Sequence, residues 1–512
     1  MTGDALTRQT VAEAVARLDP AAIAAERWFG GKGTTVERLA LAHAFALPAI
    51  PREDVPVDAV LAIVDVHAGA RRLDRYLVPF VGSGGALRPA QSGDGVWLAL
   101  GRAIAEAWTV PALPRRPADG SDDAGSSAAA GAPGPIEAAL VCRPSPGFGA
   151  LVPEGSRAVA TLGERALGAD QSNTSTVLGE RLLLKAYRRL WPGLSPDLEV
   201  QAYLSEEAGF PGVPRLAGWA ELVARDGEVT TVAMLQEYVA DGVDVYETTA
   251  ERLAAWILAP GEVSVEWATE IAADMGALTA GLHAALADPP GEAVDFLPRD
   301  ASRDELRAWR RDAHLQLDAG LTAVAAVDRA MADELRDLAP AIAARFTRFE
   351  ATPTRPLVMR IHGDLHLGQV LAASDGYRVV DFEGEPTRPM DDRRRPGSPL
   401  RDVASMLRSL DHVGRSARRR ADRRREPGSS HAGLDIEAWL DRARDRFLEA
   451  YRAGLREAGS ALSVDDDLLE AFEFAKESYE LVYAATFLPD WLWAPHEGLR
   501  GLVRRFGREP AG

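Results

Sequence analysis

Two stretches of this chain carry side chains whose types and spacing suit chemistry. The first is Ile361-His362-Gly363-Asp364-Leu365-His366-Leu367-Gly368-Gln369, and the second is Val380-Asp381-Phe382-Glu383-Gly384. Together they read H-x-D-x-x-x-x-Q, then a short hairpin, then an Asp at a strand end. Phosphoryl transfer needs these parts. One carboxylate orients an attacking hydroxyl and accepts its proton, and a second carboxylate with an amide oxygen holds Mg²⁺ against nucleotide phosphates. Asp364 fits the first role, as the catalytic base. Gln369 and Asp381 fit the second, since Mg²⁺ prefers hard oxygen ligands. An isolated Asp in a turn often serves only nearby backbone groups, and H-x-D-x-H lacks a standard zinc spacing. The joint pattern decides for phosphotransfer.

Upstream residues agree with that chemistry. Lys185 falls on a strand after a hairpin, where a cation meets α- and β-phosphates, and Glu199 falls on the next helical stretch, placed to pair with it. The hairpin is preceded by Asp170-Gln171-Ser172-Asn173-Thr174-Ser175, not by a Gly-rich loop. Ser172 and Asn173 there offer side-chain and backbone donors to phosphate. Gln236-Glu237-Tyr238-Val239 closes a strand just before a helical region, and the Glu237 carbonyl and Val239 N–H are candidates for adenine. ATP is the nucleotide this set implies.

The elements that must position these residues follow from periodicity. Residues 1–110 show a helical period at 10–18 and apolar strand-like runs at 59–64 and 75–80. Residues 111–135 are Pro, Ala, Gly, Ser and Asp with almost no large apolar side chain, and read as a linker or loop. Residues 136–240 are β-rich, with Gly179-Glu180 as a hairpin turn and Val232–Val239 as a buried strand. Residues 241–512 are helical, broken by strand-like runs at 357–361 and 377–382. A second interruption is expected at Arg415–Arg425, where seven of eleven residues are Arg; such a run reads as a solvated loop or helix face.

Composition bounds the function classes. The chain has 512 residues and a net charge of −18. An acidic surface disfavours sequence-independent nucleic-acid binding. Cys142 is the single cysteine, so an intramolecular disulfide and a cysteine-based zinc site are excluded. No signal peptide and no apolar run long enough to span a bilayer is seen, and the expectation is a cytoplasmic protein with no membrane partner.

With these residues in place, the sequence resembles the aminoglycoside-phosphotransferase-like sugar kinases, and within them the actinobacterial maltokinases and glucosamine kinases. Trp28-Phe29-Gly30-Gly31-Lys32-Gly33, His362–Gln369, Asp381-Phe382-Glu383-Gly384-Glu385-Pro386 and Ser398–Ser409 carry the resemblance. It implies an α+β, protein-kinase-like two-lobed fold, with an N-terminal α/β cap domain, a β-rich N-lobe and a helical C-lobe. It implies ATP, Mg²⁺ and transfer to a sugar hydroxyl, with Glu383 a further acidic group near the metal. The C-terminal stretch matches maltokinases through Tyr479-Glu480 and Pro489-Asp490-Trp491-Leu492 and departs at Thr486-Phe487. Sugar sites pair acidic acceptors with aromatic platforms, and Glu480, Asp490, Trp491 and Trp493 supply both beside Asp364 and His366. A carboxylate-lined aromatic pocket suits a protonated amino-sugar. The expected acceptor is therefore the 6-hydroxyl of glucosamine, with maltose, giving maltose 1-phosphate, as the alternative.

Overall fold

The computed structural model describes residues 6–26, 29–30, 34–47, 58–69, 71–83, 86–115, 137–168, 173–259, 265–288, 296–351, 355–425 and 436–506. Ser172, Trp28, Gly31, Lys32, Gly33 and residues 116–135 of the expected linker lie outside the described residues. The chain divides into two compact units, residues 1–202 with 214–240, and residues 203–213 with 241–512.

The first unit opens with helices α1 (Arg8–Ala16) and α2 (Pro20–Ala25). Thr7 caps α1, its hydroxyl accepting the Thr10 N–H at 3.2 Å, which satisfies one of the donors a helix start leaves open. Four antiparallel strands follow in sequential order: β1 (Arg38–Ala46), β2 (Asp58–Ala68), β3 (Arg71–Ser83) and β4 (Ala86–Pro89). Strand β2 reads as an unbroken apolar run because both its faces are covered. Ala59, Leu61 and Ile63 pack with Leu100 and Ile104 of helix α3 (Val96–Ala105), while Val60, Ala62 and Val64 pack with Val11, Ala14 and Val15 of α1. Side chains alternate across a strand, so six consecutive apolar residues serve two cores.

The α3-side core continues into a seven-stranded antiparallel sheet. Its strands are β5 (Thr109–Pro111), β6 (Ala138–Pro144), β7 (Glu164–Ala166), β8 (Thr174–Leu178), β9 (Leu182–Ala186), β10 (Leu216–Ala224) and β11 (Val229–Glu237), in the order β5-β6-β10-β11-β9-β8-β7. Leu140, Leu184 and Leu235 of this sheet belong to the same cluster as Phe45 and Leu61 of the cap. The β8–β9 turn has Gly179 and Glu180 both at positive φ (61° and 52°), and the Arg181 N–H closes it on the Leu178 carbonyl at 3.3 Å. Helices α4 (Phe148–Leu151) and α5 (Pro196–Ala202) complete the unit.

The second unit is mainly helical: α6 (Val245–Leu258), α7 (Val265–Ala287), α8 (Arg303–Val327), α9 (Arg329–Arg345), α10 (Arg348–Ala351), α11 (Met390–Arg393), α12 (Leu400–Arg424), α13 (Ile436–Glu457), α14 (Asp466–Phe487) and α15 (Trp493–Phe506). Gly276 lets α7 and α13 approach closely, since a Cβ there would sit 2.3 Å from the Phe447 carbonyl oxygen. The short strands are β12 (Val243–Asp244), β13 (Arg299–Asp300), β14 (Leu357–Val358), β15 (Val370–Ala373) and β16 (Gly376–Val379); β15 and β16 form a hairpin that pairs with β12, and β13 pairs with β14.

The expected interruption at Arg415–Arg425 is not one. Helix α12 runs unbroken to Arg424. Arg415 is buried and forks onto Asp411 at 2.6 and 3.0 Å. Arg420 and Arg424 pair with Glu247 and Glu251 of α6. The basic run is therefore a helix face, paired in part with a neighbouring helix through Arg420 and Arg424. Among the described residues no helix is long and apolar enough to cross a membrane.

Candidate active site

The loop between β14 and β15 carries Asp364, and α12 fixes it. Asp402, in the first turn of α12 and fully buried, accepts the His362 N–H at 2.8 Å and the Gly363 N–H at 2.9 Å, one on each carboxylate oxygen. His283 Nε2 lies 3.3 Å from the same carboxylate, and His283 Nδ1 lies 2.8 Å from the Tyr451 hydroxyl. Burial alone would raise the Asp402 pKa; the His283 hydrogen bond and the facing amides outweigh it and hold the group below its ordinary value. His362 accepts the Asp364 N–H on Nδ1 at 3.3 Å, and its Nε2 lies 3.1 Å from the Val380 carbonyl. That second contact ties the Asp364 loop to the stretch carrying Asp381. Gly363 sits at φ +83°, a conformation that glycine adopts without a Cβ penalty.

Just past β16, Asp381 holds φ +69°, an uncommon state for a residue with a side chain and one that clusters at functional sites. Gln369 Nε2 donates to Asp381 Oδ2 at 3.1 Å. Carboxylate oxygens of Asp381 and Glu383 come within 4.8 Å of one another. With the Gln369 amide flipped by a half turn, so that its oxygen takes the place of its nitrogen, this is an all-oxygen donor set. It fits a hard divalent cation.

Asp364 opens into a cavity of about 320 Å³ lined by faces of α12 and α14 and by Trp491. On α12, Ser405, Ser409 and His412 recur every three or four residues; on α14, Lys476, Glu480 and Tyr483 do the same. His366 is also on the wall. Its Nδ1 accepts the Gly368 N–H at 3.1 Å, and burial pulls its pKa below the ordinary value. Neutral His366 therefore carries its proton on Nε2. Asp244, the N-cap of α6, adds a third carboxylate, and Tyr246 and Tyr479 add aromatic wall.

The residue that sequence reading missed is Lys476. Its ammonium lies 3.0 Å from Asp364 Oδ1, 3.1 Å from Glu385 Oε1 and 2.9 Å from Glu480 Oε1. Its side chain is 9 % exposed. Burial would lower its pKa, but Asp364, Glu480 and Glu385 together raise it well above the usual value. The site thus holds a permanent cation against its base.

Of the expected sugar contacts, the structure places Asp364, His366, Glu480 and Trp491 on this wall and leaves Asp490 and Trp493 off it. Asp490 is exposed on the turn between α14 and α15. Trp493 begins α15, where the Arg419 guanidinium covers its ring at 4.2 Å. Their nearness to Trp491 in sequence does not carry through the turn.

In the first unit, Lys185 projects from β9 and ion-pairs with Asp197 of α5 at 2.7 Å. The Tyr187 hydroxyl donates to the same oxygen at 3.0 Å. Asp197 is 1 % exposed and was absent from the expectation; Glu199, expected as the partner, stands two residues on, half-buried. Asn173 immediately precedes β8. Glu237 ends β11, with its carboxylate on Arg215 at 2.8 Å, and Val239 follows just past the strand.

With this geometry in view, comparison with known proteins is informative. A curated glucosamine kinase of Streptacidiphilus jiangxiensis is 32 % identical over 449 residues, which cover 85 % of this chain and 92 % of that protein. The chain belongs to the glucosamine kinase family. Another glucosamine kinase, from Mycolicibacterium smegmatis, is 30 % identical over 67 % of this chain and 80 % of its own length. Residues 23–97 match the maltokinase N-terminal cap domain. A solved glucosamine kinase in complex with glucosamine, ADP and inorganic phosphate superposes with a TM-score of 0.66 at 28 % identity, over 96 % of this chain and 99 % of that one. A second crystal form of glucosamine kinase gives 0.69 over the same shares. The fold is the α+β, protein-kinase-like one with an N-terminal cap.

Proposed function

We propose that this protein transfers the γ-phosphoryl group of ATP to the 6-hydroxyl of D-glucosamine, with Mg²⁺ as the metal. The observation that carries this reading is the cavity at Asp364, where Asp244, Asp364 and Glu480 face an aromatic wall, Lys476 pairing with the last two and Arg408 also on the lining. A protonated amino-sugar gains from both carboxylate and ring. The glucosamine kinase relatives support it. In the reaction, Asp364 accepts the O6 proton as the O6–P bond forms and the bond from phosphorus to the β-bridging oxygen breaks, releasing ADP. Neutral His366 offers an Nε2–H donor to a sugar hydroxyl. Asp381, Glu383 and Gln369 would hold Mg²⁺, which supplies charge neutralisation at the phosphates. Lys185, held by Asp197, would meet the α- and β-phosphates; Asn173 would add a phosphate contact, with Ser172 assigned there from sequence alone; and the Glu237 carbonyl with the Val239 N–H would take adenine. A cytoplasmic location goes with an ATP-consuming reaction.

A second reading, maltokinase, is favoured by the cap match alone. An ADP-release assay with glucosamine, glucose, maltose and an aminoglycoside separates the two, with phosphorus NMR to locate the new ester. Turnover of glucosamine to its 6-phosphate is expected. Turnover of maltose with none of glucosamine would replace the first reading by the second.

A further inference from the structure

A second chamber, of about 340 Å³, adjoins the acceptor cavity and shares only Ser405, Lys476 and Tyr479 with it. Its other walls come mainly from α8, α14 and the stretch leading into α12, with Gly363 of the Asp364 loop also on the lining. Five cations and four carboxylates line it, and one of the cations, Lys476, also pairs with Asp364 and Glu480. The single carboxylate of Glu385 meets three cations: Lys476 at 3.1 Å, Arg401 at 3.5 Å, and Arg388. Arg388 is further occupied by Asp312 at 3.0 Å. The 3.5 Å approach to Glu385 is the one ion pair of Arg401 among the described residues, longer than a good hydrogen bond. Burial and the neighbouring Arg388 outweigh Glu385 and Asp312 and pull the Arg401 pKa below its ordinary value. One helical turn on, Ser405 is 5 % exposed and its hydroxyl has no partner among the described residues. Buried hydroxyls are nearly always paired.

Arg401 and Ser405, at i and i+4 on one face of α12, therefore present a guanidinium fork and a hydroxyl to the same chamber. A planar guanidinium fork beside an unpaired hydroxyl matches phosphoryl oxygens. The chamber is also larger than a bare phosphate needs, and Trp309 and Gln316 on its wall suit a polar organic body. We propose that this chamber binds a phosphate monoester, with Arg401 forking to the phosphoryl oxygens and Ser405 donating to one of them. The site adjoins the reacting centre through Lys476 but does not depend on which sugar the acceptor cavity takes.

The test is calorimetric titration of the full-length protein with glucosamine 6-phosphate and, separately, inorganic phosphate. The nucleotide site is filled by a non-hydrolysable ATP analogue with Mg²⁺, and the acceptor cavity by whichever sugar the assay panel identifies. The monoester is expected to bind, with inorganic phosphate weaker. Arg401→Gln should weaken the monoester by about tenfold or more, the loss of a charge-assisted hydrogen bond. Ala308→Trp fills the chamber from α8 without touching α12; it should abolish binding while leaving kcat for the acceptor unchanged, and it decides the matter alone if Arg401→Gln does not fold. Absence of binding with both active-site pockets filled would overturn the proposal. So would wild-type affinity in Ala308→Trp, or binding of inorganic phosphate alone.

Discussion

Asp364 is positioned from its backbone as well as by its carboxylate: the amides on its N-terminal side are held by Asp402, its own N–H by His362, and its Oδ1 by Lys476 at 3.0 Å. Replacing it by Asn leaves the backbone contacts intact, removes the proton acceptor and reduces the Lys476 ion pair to a hydrogen bond. The expected result is a fall in kcat of roughly 10²–10⁴-fold, the usual range for a general base, with affinity for an ATP analogue changed less than about threefold on the scale of a lost minor contact. Wild-type turnover in Asp364→Asn would remove Asp364 from the base role. His412 offers a pH test. Burial would lower its pKa, but Glu477, 3.1 Å away, outweighs burial and raises it above the ordinary 6.5. A raised histidine contributes stability that is full below the unfolded value and is lost as pH rises through the folded value. The melting-temperature gap between wild type and His412→Gln should therefore be wider at pH 6 than at pH 9; an equal gap would show that the charge does not stabilise. Asp364, Gln369 and Asp381 were legible in sequence because they lie within eighteen residues and their spacing is local. Lys476 was not, since two of its carboxylate partners lie 112 and 91 residues away and a lysine on an amphipathic helix reads as solvated.

At the scale of elements, α12 is the organising helix. One of its faces supplies the loop anchor Asp402, the unpaired Ser405, Ser409, whose hydroxyl accepts the Leu367 N–H at 3.0 Å, and the cavity wall. Asp402→Asn is the sharp test of the anchor. An amide can accept one of the two loop N–H groups on its oxygen and must turn its own NH₂ towards the other. A loss of about 2–5 kcal/mol in unfolding free energy is expected from such a buried mismatch, with kcat falling more than KM rises. Full activity in Asp402→Asn would mean the loop holds its shape without that carboxylate. The reading of α12 also shows where sequence reasoning fails. Seven arginines in eleven residues look like a break in a helical pattern, yet three of them are paired by Asp411, Glu247 and Glu251, the last two on α6. Local charge density says nothing about a partner helix more than 150 residues away. The unbroken apolar run of β2, by contrast, is legible: an element covered on both faces has no polar phase to show.

On the scale of the whole molecule, the cap is not an appendage within its own unit. Phe45, Leu61, Leu100 and Ile104 share a core with Leu140, Leu184 and Leu235 of the seven-stranded sheet. Deleting residues 1–110 would also remove most of edge strand β5. The truncated chain should lack a cooperative unfolding transition and nucleotide affinity; a soluble, cooperatively folded product that still binds ATP would contradict the shared core. This packing was hidden in the sequence, because composition marks the stretch at 111–135 but not what lies against what on either side. The opposite holds for function. The −18 net charge argues against a class of partners, and the same acidity reappears locally as Asp244, Asp364 and Glu480 around the acceptor cavity. The central claim is that these carboxylates select a cationic sugar. The most direct measurement is kcat/KM for glucosamine against glucose, which differ only in the amine, under identical ATP and Mg²⁺. A preference for glucosamine of about tenfold or more is predicted, the scale of one charge-assisted hydrogen bond; equal values, or a preference for glucose, would contradict it.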